Sequence, residues 1–301
     1  MLALVGPTAS GKSEAALRIA LELNAEVISV DSMLVYRGMD VGTAKPSRAE
    51  RSRVAHHLID VADPSEPFSV ARFKSLAREA LEEIAEIGGR PLLVGGSGLY
   101  FRAIVDDLEF PGTDRATREA LETEAAGSGA GRMHERLAGL DPVAAGKIEP
   151  GNVRRTVRAL EVVALTGRRF SEFAAAWDSY PPERVRVAGV RIPREVLKER
   201  IEGRVARMIE RGLLEEVGSL IARGFGGWLT SSQAIGYAEV ARHLRGECSL
   251  EEAIAGTVRR TASLARRQMA WFRRDPRIRW FAAGEEGAEG VATEILEYLR
   301  G

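Results

Sequence analysis

The sequence has little of several features that commonly define a class of protein. It contains one cysteine, Cys248, in 301 residues, which excludes an intrachain disulfide and a metal site built from several cysteines. No apolar run approaches the roughly 18 residues that a membrane-spanning helix needs. The first residues also lack the basic segment and long apolar core of a signal peptide. We therefore expect a cytoplasmic protein with no membrane partner, and a monomer.

The sequence also lacks net charge, since 43 Lys and Arg balance 43 Asp and Glu, and 45% of its residues are hydrophobic. This composition excludes a disordered chain, and the length suffices for one large α/β domain or two smaller ones. The charges are nevertheless uneven. Between Ile254 and Trp280 the net charge is +7, so the rest of the chain carries −7. Such a local field favours an anionic partner that the total conceals.

Short apolar runs alternate with helix-period segments along much of the chain. After the first run, Ala16, Ile19, Ala20 and Leu23 have the spacing of a helix that packs on a sheet. This alternation predicts a parallel sheet with helices on both faces. The predicted strands are Leu2 to Val5, Val27 to Val30, Leu92 to Val94, Val185 to Ile192 and Ile278 to Phe281.

A phosphate-binding motif, G-x-x-x-x-G-K-[ST], lies between the first strand and the first helix. Its glycines let backbone N–H groups converge on phosphate oxygens, and the positive end of the helix adds to the attraction. Lys12 supplies a point charge, and the Ser13 hydroxyl is placed to coordinate Mg²⁺. The predicted diphosphate-binding residues are Gly6, Pro7, Thr8, Ala9, Ser10, Gly11, Lys12 and Ser13.

The chain outside this motif divides into a core and an insertion. The segment from 114 to 177 has helix-period stretches and no convincing strand. We therefore predict a P-loop NTPase-like, three-layer α/β core from residues 1–112 and 182–301, with a helical insertion domain at 113–181. In the insertion, Asn152 is a predicted helix N-cap. The predicted buried stripe of that helix is Val153, Val157, Leu160 and Ala164.

Two further residues belong to the predicted phosphate site. In an open parallel sheet the carboxyl ends of the strands border the ligand crevice, so Asp31 and Ser97 should both face it. The strand that ends at Val94 is followed by glycines and Ser97 and not by a carboxylate. A P-loop with one carboxylate suggests transfer of a group from a phosphorylated donor to an acceptor that Asp31 deprotonates or orients. A kinase fits these residues equally well.

Several segments, in order along nearly the whole chain, resemble the tRNA dimethylallyltransferase (IPP transferase) family. The most specific of them is Tyr36 to Pro46. The others are Gly6 to Ser13, Asp31-Ser32, His57 to Asp60, Gly95 to Tyr100, Gln233 to Tyr237 and Arg266 to Phe272.

The resemblance implies transfer of a dimethylallyl group from dimethylallyl diphosphate to N6 of adenine 37, next to the tRNA anticodon. In that family the P-loop holds the donor's diphosphate. By position, Asp31 would take the N6 proton, while Lys12, Ser13 and Mg²⁺ would stabilise charge on the leaving diphosphate. Ser97 aligns with a family threonine that contacts the reacting centre. The acceptor base should be extruded from its stack to reach the site.

The resemblance also implies which residues contact tRNA. Two departures from the family pattern lie among them: Ser97 stands where threonine is usual, and Met33-Leu34 stand where Arg-Gln is common. The implied tRNA-binding residues are Asp31, Ser32, Met33, Leu34, Ser97, Arg118, Arg154, Arg155, Thr156, Val157, Arg158, Gln233, Ala234, Ile235, Gly236 and Tyr237. The spacing of the arginines near the C-terminus adds Arg260 and Arg267 to the predicted tRNA-binding residues.

The arginines near the C-terminus follow a helical period. Arg259, Arg266 and Arg273 are seven apart, as are Arg260, Arg267 and Arg274, so the pairs share one face of a helix. The predicted buried stripe of this helix is Val258, Ala262, Ala265, Met269 and Phe272. The other face would present a ladder of guanidinium groups to RNA, and the alternative is a solvated face that pairs with acids.

Arg200 and Arg204, four residues apart, predict either a clamp on diphosphate or a salt-bridged surface.

Two other functions remain as alternatives. An adenylate isopentenyltransferase acting on free AMP, ADP or ATP would need no basic RNA surface, and a small-molecule P-loop kinase would consume ATP. His56-His57 does not predict a metal site, because adjacent residues point to opposite sides of a strand. Trp271 and Trp280 are predicted to lie in the core.

Overall fold

The computed structural model describes residues 1–173, 179–181 and 185–301. The chain forms two compact units, one made of Met1–Val105 with Pro182–Gly301 and the other of Asp106–Pro181. Part of the predicted insertion, 174–178, and the predicted return to the core at 182–184 lie outside the described residues. Among the residues described, no helix is long and apolar enough to cross a membrane.

The first unit contains a six-stranded sheet among the residues described, with every neighbouring pair of strands parallel and the order β3-β2-β4-β1-β5-β6. This confirms the predicted parallel sheet. The two-residue β3, which contains both histidines, was missed. The strands are β1 (Leu2–Val5), β2 (Ala25–Val30), β3 (His56–His57), β4 (Arg90–Gly95), β5 (Arg186–Arg191) and β6 (Ile278–Ala282).

Alternate strand residues enter two different hydrophobic clusters, as the period of a strand requires. Ala3 and Val5 belong to one cluster, whereas Leu4 belongs to the other. Helices therefore cover both faces, which gives the predicted three layers. The helices of this unit are α1 (Lys12–Leu23), α2 (Arg48–Arg53), α3 (Val70–Glu86), α4 (Gly98–Val105), α10 (Arg194–Glu210), α11 (Leu213–Ala222), α12 (Tyr237–Leu244), α13 (Leu250–Phe272) and α14 (Ala292–Arg300).

The helix ends follow from local sequence. Ser69 caps α3, with its side chain accepting a hydrogen bond from the backbone N–H of Arg72. The helical pattern of residues 195–223 predicts one long helical run, but the structure breaks this run between α10 and α11. Gly212 adopts a left-handed φ of 92° there, a conformation that ends a helix and that glycine reaches at little cost.

Among the described residues of the second unit, every regular element is a helix. Asn152 caps α8 through a bond from the N–H of Arg155, as predicted. The predicted stripe is wrong at Ala164, which is exposed, while Glu161 and Val162 are buried. The helices are α5 (Arg115–Ser128), α6 (Ala130–Leu140), α7 (Pro142–Lys147), α8 (Val153–Thr166) and α9 (Phe170–Phe173).

Candidate active site

The P-loop joins β1 to α1 and has the backbone of a phosphate cradle. Ala9 and Gly11 have φ values of 62° and 80°, which turn the loop before α1 begins. Lys12 lies at the base of the loop with 9% of its surface exposed. Its Nζ donates to the Pro7 carbonyl at 2.6 Å and to the Ser10 Oγ at 3.2 Å. The motif thus places a buried ammonium group beneath the loop.

Lys12 shares its surroundings with a second buried cation. Burial lowers the pKa of Lys12 to about 7, the nearby charge of Arg204 contributes in the same direction, and Asp31 acts in the opposite direction. Burial also lowers the pKa of Arg204, whereas the charge of Asp31 acts to raise it. Two desolvated cations near one carboxylate form a site that an anionic group would stabilise.

Both arginines of the α10 pair contact the P-loop. Arg204 donates from Nη1 to the Thr8 Oγ1 at 3.3 Å and from Nη2 to the Thr43 carbonyl at 3.1 Å. Arg200 donates from Nε to the Ala9 carbonyl at 2.9 Å. These contacts place the pair at the P-loop, and its predicted role as a clamp on diphosphate stays a prediction.

Asp31 and Ser97 lie side by side just past the carboxyl ends of β2 and β4, which are neighbours in the parallel sheet. The backbone N–H of Ser97 donates to the Val30 carbonyl at 3.2 Å, directly before Asp31. One oxygen of Asp31, Oδ1, accepts the N–H groups of Met33 at 2.8 Å and Leu34 at 3.4 Å. Asp31 is therefore held by its own turn, and its charge acts on both Lys12 and Arg204.

Gln268 is a residue of the site that the motifs did not single out. It lies on α13, and its Oε1 accepts the backbone N–H of Thr8 at 2.8 Å. A Cβ atom at Gly96 would overlap its amide, so Gln268 is wedged between the P-loop and the turn after β4. The signal was present, because Gln268 lies in one of the segments that carry the family resemblance.

Ser13 is the residue predicted to coordinate Mg²⁺. It is exposed in the first turn of α1. In the part of the chain that the structure describes, no three His, Cys, Asp or Glu side chains come together in a way that could hold a metal ion. The residues fit a magnesium ion that is held by one hydroxyl and otherwise by phosphate oxygens and water, the usual mode for Mg²⁺ with phosphates.

The histidine pair has ordinary partners. His57 Nε2 lies 2.6 Å from the Glu26 carboxylate, and His56 Nδ1 lies 2.8 Å from the Val54 carbonyl. Each ring thus has a structural partner.

Several residues implied to bind tRNA do not present their side chains to solvent. Tyr237 and Thr156 are fully buried, and Ala234 and Val157 nearly so. These four side chains lie in the packed interior of their units, and the tRNA binding implied for their positions stays a prediction. Gln233 instead donates to the Leu229 carbonyl at 2.8 Å.

In the second unit, two of the predicted RNA-binding arginines converge on one carboxylate. Arg118 and Arg158 lie 2.7 Å and 2.8 Å from Glu161, whose side chain is fully buried. Burial alone would raise the pKa of Glu161, but the two guanidinium groups outweigh it and lower the pKa. Arg154 and Arg155 are exposed on α8, the helix that also carries Arg158 and Glu161.

The arginines of α13 fall into exposed and paired groups. Arg259, Arg266 and Arg267 are exposed. Arg260 is also exposed but forms an ion pair with Glu239. Past the end of the helix, Arg277 forms a buried ion pair with Asp275 at 2.7 Å. The helix thus carries a basic surface, although not every arginine belongs to it.

Hydrophobic residues of α13 anchor it less deeply than predicted. Ala265 and Phe272 are buried, whereas Val258, Ala262 and Met269 are half-buried. The prediction of a core position is wrong for Trp271, which is 37% exposed, beside Gly98 at the start of α4. Trp280 is half-buried against Gly189.

A phosphate loop after β1, a carboxylate after β2 and a basic helix packed on the loop define a P-loop protein of the group-transfer type. A model of the IPP transferase family matches residues 34–275. The chain is 50% identical to the tRNA dimethylallyltransferase of Streptomyces coelicolor, covering 94% of this chain and 90% of that protein. It is 46% identical to that of Desulforudis audaxviator, covering 98% and 96%. The chain therefore belongs to the IPP transferase family.

Solved structures agree with this assignment. The full-length tRNA isopentenylpyrophosphate transferase of Bacillus halodurans is 42% identical, with a TM-score of 0.73 over 99% of this chain and 95% of that one. A eukaryotic dimethylallyltransferase acting on tRNA is 26% identical, with a TM-score of 0.77 over 97% and 75%.

Proposed function

We propose that this protein transfers a dimethylallyl group from dimethylallyl diphosphate to N6 of the adenine next to the anticodon of tRNA. The observation that carries the proposal is the position of the carboxylate. Asp31 follows β2, and its negative charge interacts with the positive charges of Lys12 and Arg204. The turn after β4 carries the hydroxyl group of Ser97. This arrangement suits proton removal from an acceptor beside an anionic leaving group. Since the substrate is tRNA, we expect the protein to work in the cytoplasm.

The chemistry balances with the residues present. The N6 lone pair forms a bond to C1 of the dimethylallyl group while the bond from C1 to the diphosphate oxygen breaks. Asp31 takes the N6 proton, and Lys12 and Arg204 stabilise the charge that develops on the diphosphate. Mg²⁺, when bound, would supply further positive charge to the diphosphate oxygens. Lys12 donates to Pro7 and Ser10 within the loop, which holds its ammonium group at the P-loop.

We place the RNA-binding surface on exposed arginines. On α13, Arg259, Arg266 and Arg267 lie in solvent on a helix whose Gln268 contacts the P-loop. That geometry brings phosphate-binding groups to the neighbourhood of the proposed acceptor site. Positively charged side chains position RNA through its phosphates, whereas the chemistry requires an unstacked base.

The decisive experiment supplies two possible acceptors. The protein is incubated with dimethylallyl diphosphate, Mg²⁺ and either an anticodon stem-loop or AMP, and products are identified by mass spectrometry. We expect modified RNA and unmodified AMP. Modified AMP with untouched RNA would establish the adenylate isopentenyltransferase alternative, and phosphate transfer from added ATP would establish a kinase.

Asp31→Asn tests the proton acceptor. The amide keeps the shape of the side chain and its bonds to the turn but cannot accept the N6 proton, so transfer should fall by at least about a hundredfold while RNA binding is retained. If the variant transfers the group at the wild-type rate, Asp31 is not the base.

A further inference from the structure

A single carboxylate on α11 holds the loop formed by residues 40–43. Glu216 accepts the backbone N–H of Asp40 at 3.0 Å, that of Val41 at 2.9 Å and that of Gly42 at 3.3 Å. Three N–H groups on one carboxylate form strong, charge-assisted hydrogen bonds. Glu216 therefore determines where this loop lies, although it is 175 residues from Val41 in sequence.

The fourth donor to Glu216 is the hydroxyl of Tyr237, at 2.5 Å from Oε1. Tyr237 is fully buried, and burial together with the charge of Glu216 raises the pKa of its phenol well above its ordinary value. The phenol therefore stays a donor. Its ring also lies against Gly42, where a Cβ would overlap it, so the carboxylate, the ring and the loop form one packed group.

This loop ends at the residue that orients Arg204. The Thr43 carbonyl accepts one Nη of Arg204 at 3.1 Å, and the other Nη reaches the Thr8 Oγ1 in the P-loop at 3.3 Å. The Thr43 hydroxyl in turn donates to the Met39 carbonyl at 2.7 Å. The guanidinium is thus suspended between the 40–43 loop and the P-loop.

We propose that Glu216 is a positioning residue for the leaving diphosphate, acting through the 40–43 loop on Arg204. It touches neither substrate. It sets the Thr43 carbonyl, which fixes the guanidinium at the P-loop, and a guanidinium placed in advance binds an anion without a reorganisation cost. The inference rests on the proposed function in one respect: the anion is taken to be the donor's diphosphate.

The test uses inorganic diphosphate as the probe and isothermal titration calorimetry as the readout, with the full chain. Glu216→Gln loses the charge that holds three N–H groups, and Tyr237→Phe loses only the phenol oxygen. We expect diphosphate binding to weaken about tenfold in E216Q, a loss of about 1.4 kcal/mol, and several-fold in Y237F. The matched control is Glu215→Gln, a neighbour on the same helix that faces solvent, which should bind diphosphate like the wild type.

A double-mutant cycle separates positioning from general destabilisation. In an R204K background the guanidinium is absent, so E216Q should cause no further loss of diphosphate affinity. An equal loss in both backgrounds would show that Glu216 acts on the site by some other route and would overturn the inference. Equal diphosphate affinities in E216Q and E215Q would overturn it as well. If E216Q does not fold, as judged by circular dichroism, Y237F carries the cycle.

Steady-state kinetics give a second readout. The KM for dimethylallyl diphosphate should rise in E216Q, while the KM for the stem-loop should not change; a rise in both would contradict a specific effect on the donor. The two proposals can fail separately. If E216Q weakens diphosphate binding through Arg204 but the wild type does not transfer the group to RNA, the proposed function is refuted and the positioning role of Glu216 stands.

Discussion

Replacing Glu161 by glutamine should destabilise the helical unit far more than neutralising an exposed carboxylate. Glu161 accepts Arg118 at 2.7 Å, Arg158 at 2.8 Å and the N–H of Asp114 at 3.0 Å. Glutamine keeps only one acceptor oxygen and adds an NH₂ group among these donors. The variant therefore loses at least one bond and deprives two arginines of this counter-charge.

The structure sets the size of the effect. Breaking one side of a buried ion pair commonly costs about 3–5 kcal/mol. Here Glu161 has no exposed side-chain surface, but Arg118 and Arg158 are 34% and 26% exposed, so water can partly solvate them after the change. We therefore expect a loss of about 2–3 kcal/mol in the free energy of unfolding at neutral pH.

The shift in the pKa of Glu161 on folding determines how the loss of stability depends on pH. The pKa of Glu161 is lower in the folded protein than its ordinary value of about 4.3. Its contribution is therefore complete above the unfolded pKa and is lost as the pH falls through the folded pKa. The difference in stability between wild type and Glu161→Gln should be largest near neutral pH and should shrink below about pH 4.

Urea unfolding followed by circular dichroism, at pH 7 and at several values below pH 5, measures both quantities. The control is Glu124→Gln in the same unit, because Glu124 and Arg136 form a pair at 2.6 Å in which both side chains are 46% exposed. That variant should lose at most about 1 kcal/mol. Equal losses in the two variants at pH 7, or a Glu161 difference that grows towards low pH, would refute the reasoning.

Two further substitutions test other parts of the structure. Gly42→Ala should destabilise the protein by about 1–3 kcal/mol, because the new Cβ would overlap the Tyr237 ring. The control is Gly218→Ala, in an open helical position, which should be neutral or stabilising by up to about 1 kcal/mol. Thermal unfolding compares the two variants. Arg267→Ala, which removes an exposed guanidinium bonded to Ser263, should lower the slope of log K against log salt for a stem-loop by about 0.7, measured by fluorescence anisotropy, without loss of stability. An unchanged slope would make Arg267 a structural residue.

Features that depend on adjacent residues were predictable from the sequence. The strands that form the centre of the sheet are apolar runs ended by Gly6, Asp31 or Gly95, and the P-loop follows from its motif. Strand β3 was missed because two histidines have no strand pattern, and the pairing of β3 with β2 alone makes it a strand. The break at Gly212 was missed because one glycine within a helical pattern is commonly tolerated.

The residues that organise the site from a distance were not predictable in the same way. Gln268 meets Thr8 across 260 residues, and Glu216 meets Val41 across 175. Each is an ordinary polar residue of an amphipathic helix in its own neighbourhood. Only the packing of α11 and α13 within the first unit gives these side chains their partners, so hydrophobic periodicity could not distinguish them from solvated residues. The one available signal was the family resemblance, whose segment from Arg266 to Phe272 includes Gln268.

The charges of the C-terminal arginines were also only partly predictable from the sequence. The sequence has eight arginines between Ile254 and Trp280, but their number does not say which charges face solvent. Arg277 is neutralised by Asp275 within the segment, and Arg260 is paired with Glu239 on α12. On the proposed RNA-binding surface, we therefore expect the field at a phosphate to come mainly from exposed arginines such as Arg267. An alanine scan for RNA affinity should consequently rank Arg267 above Arg277, and any effect of Arg277→Ala should appear first in stability, since the buried Asp275 would lose this ion pair.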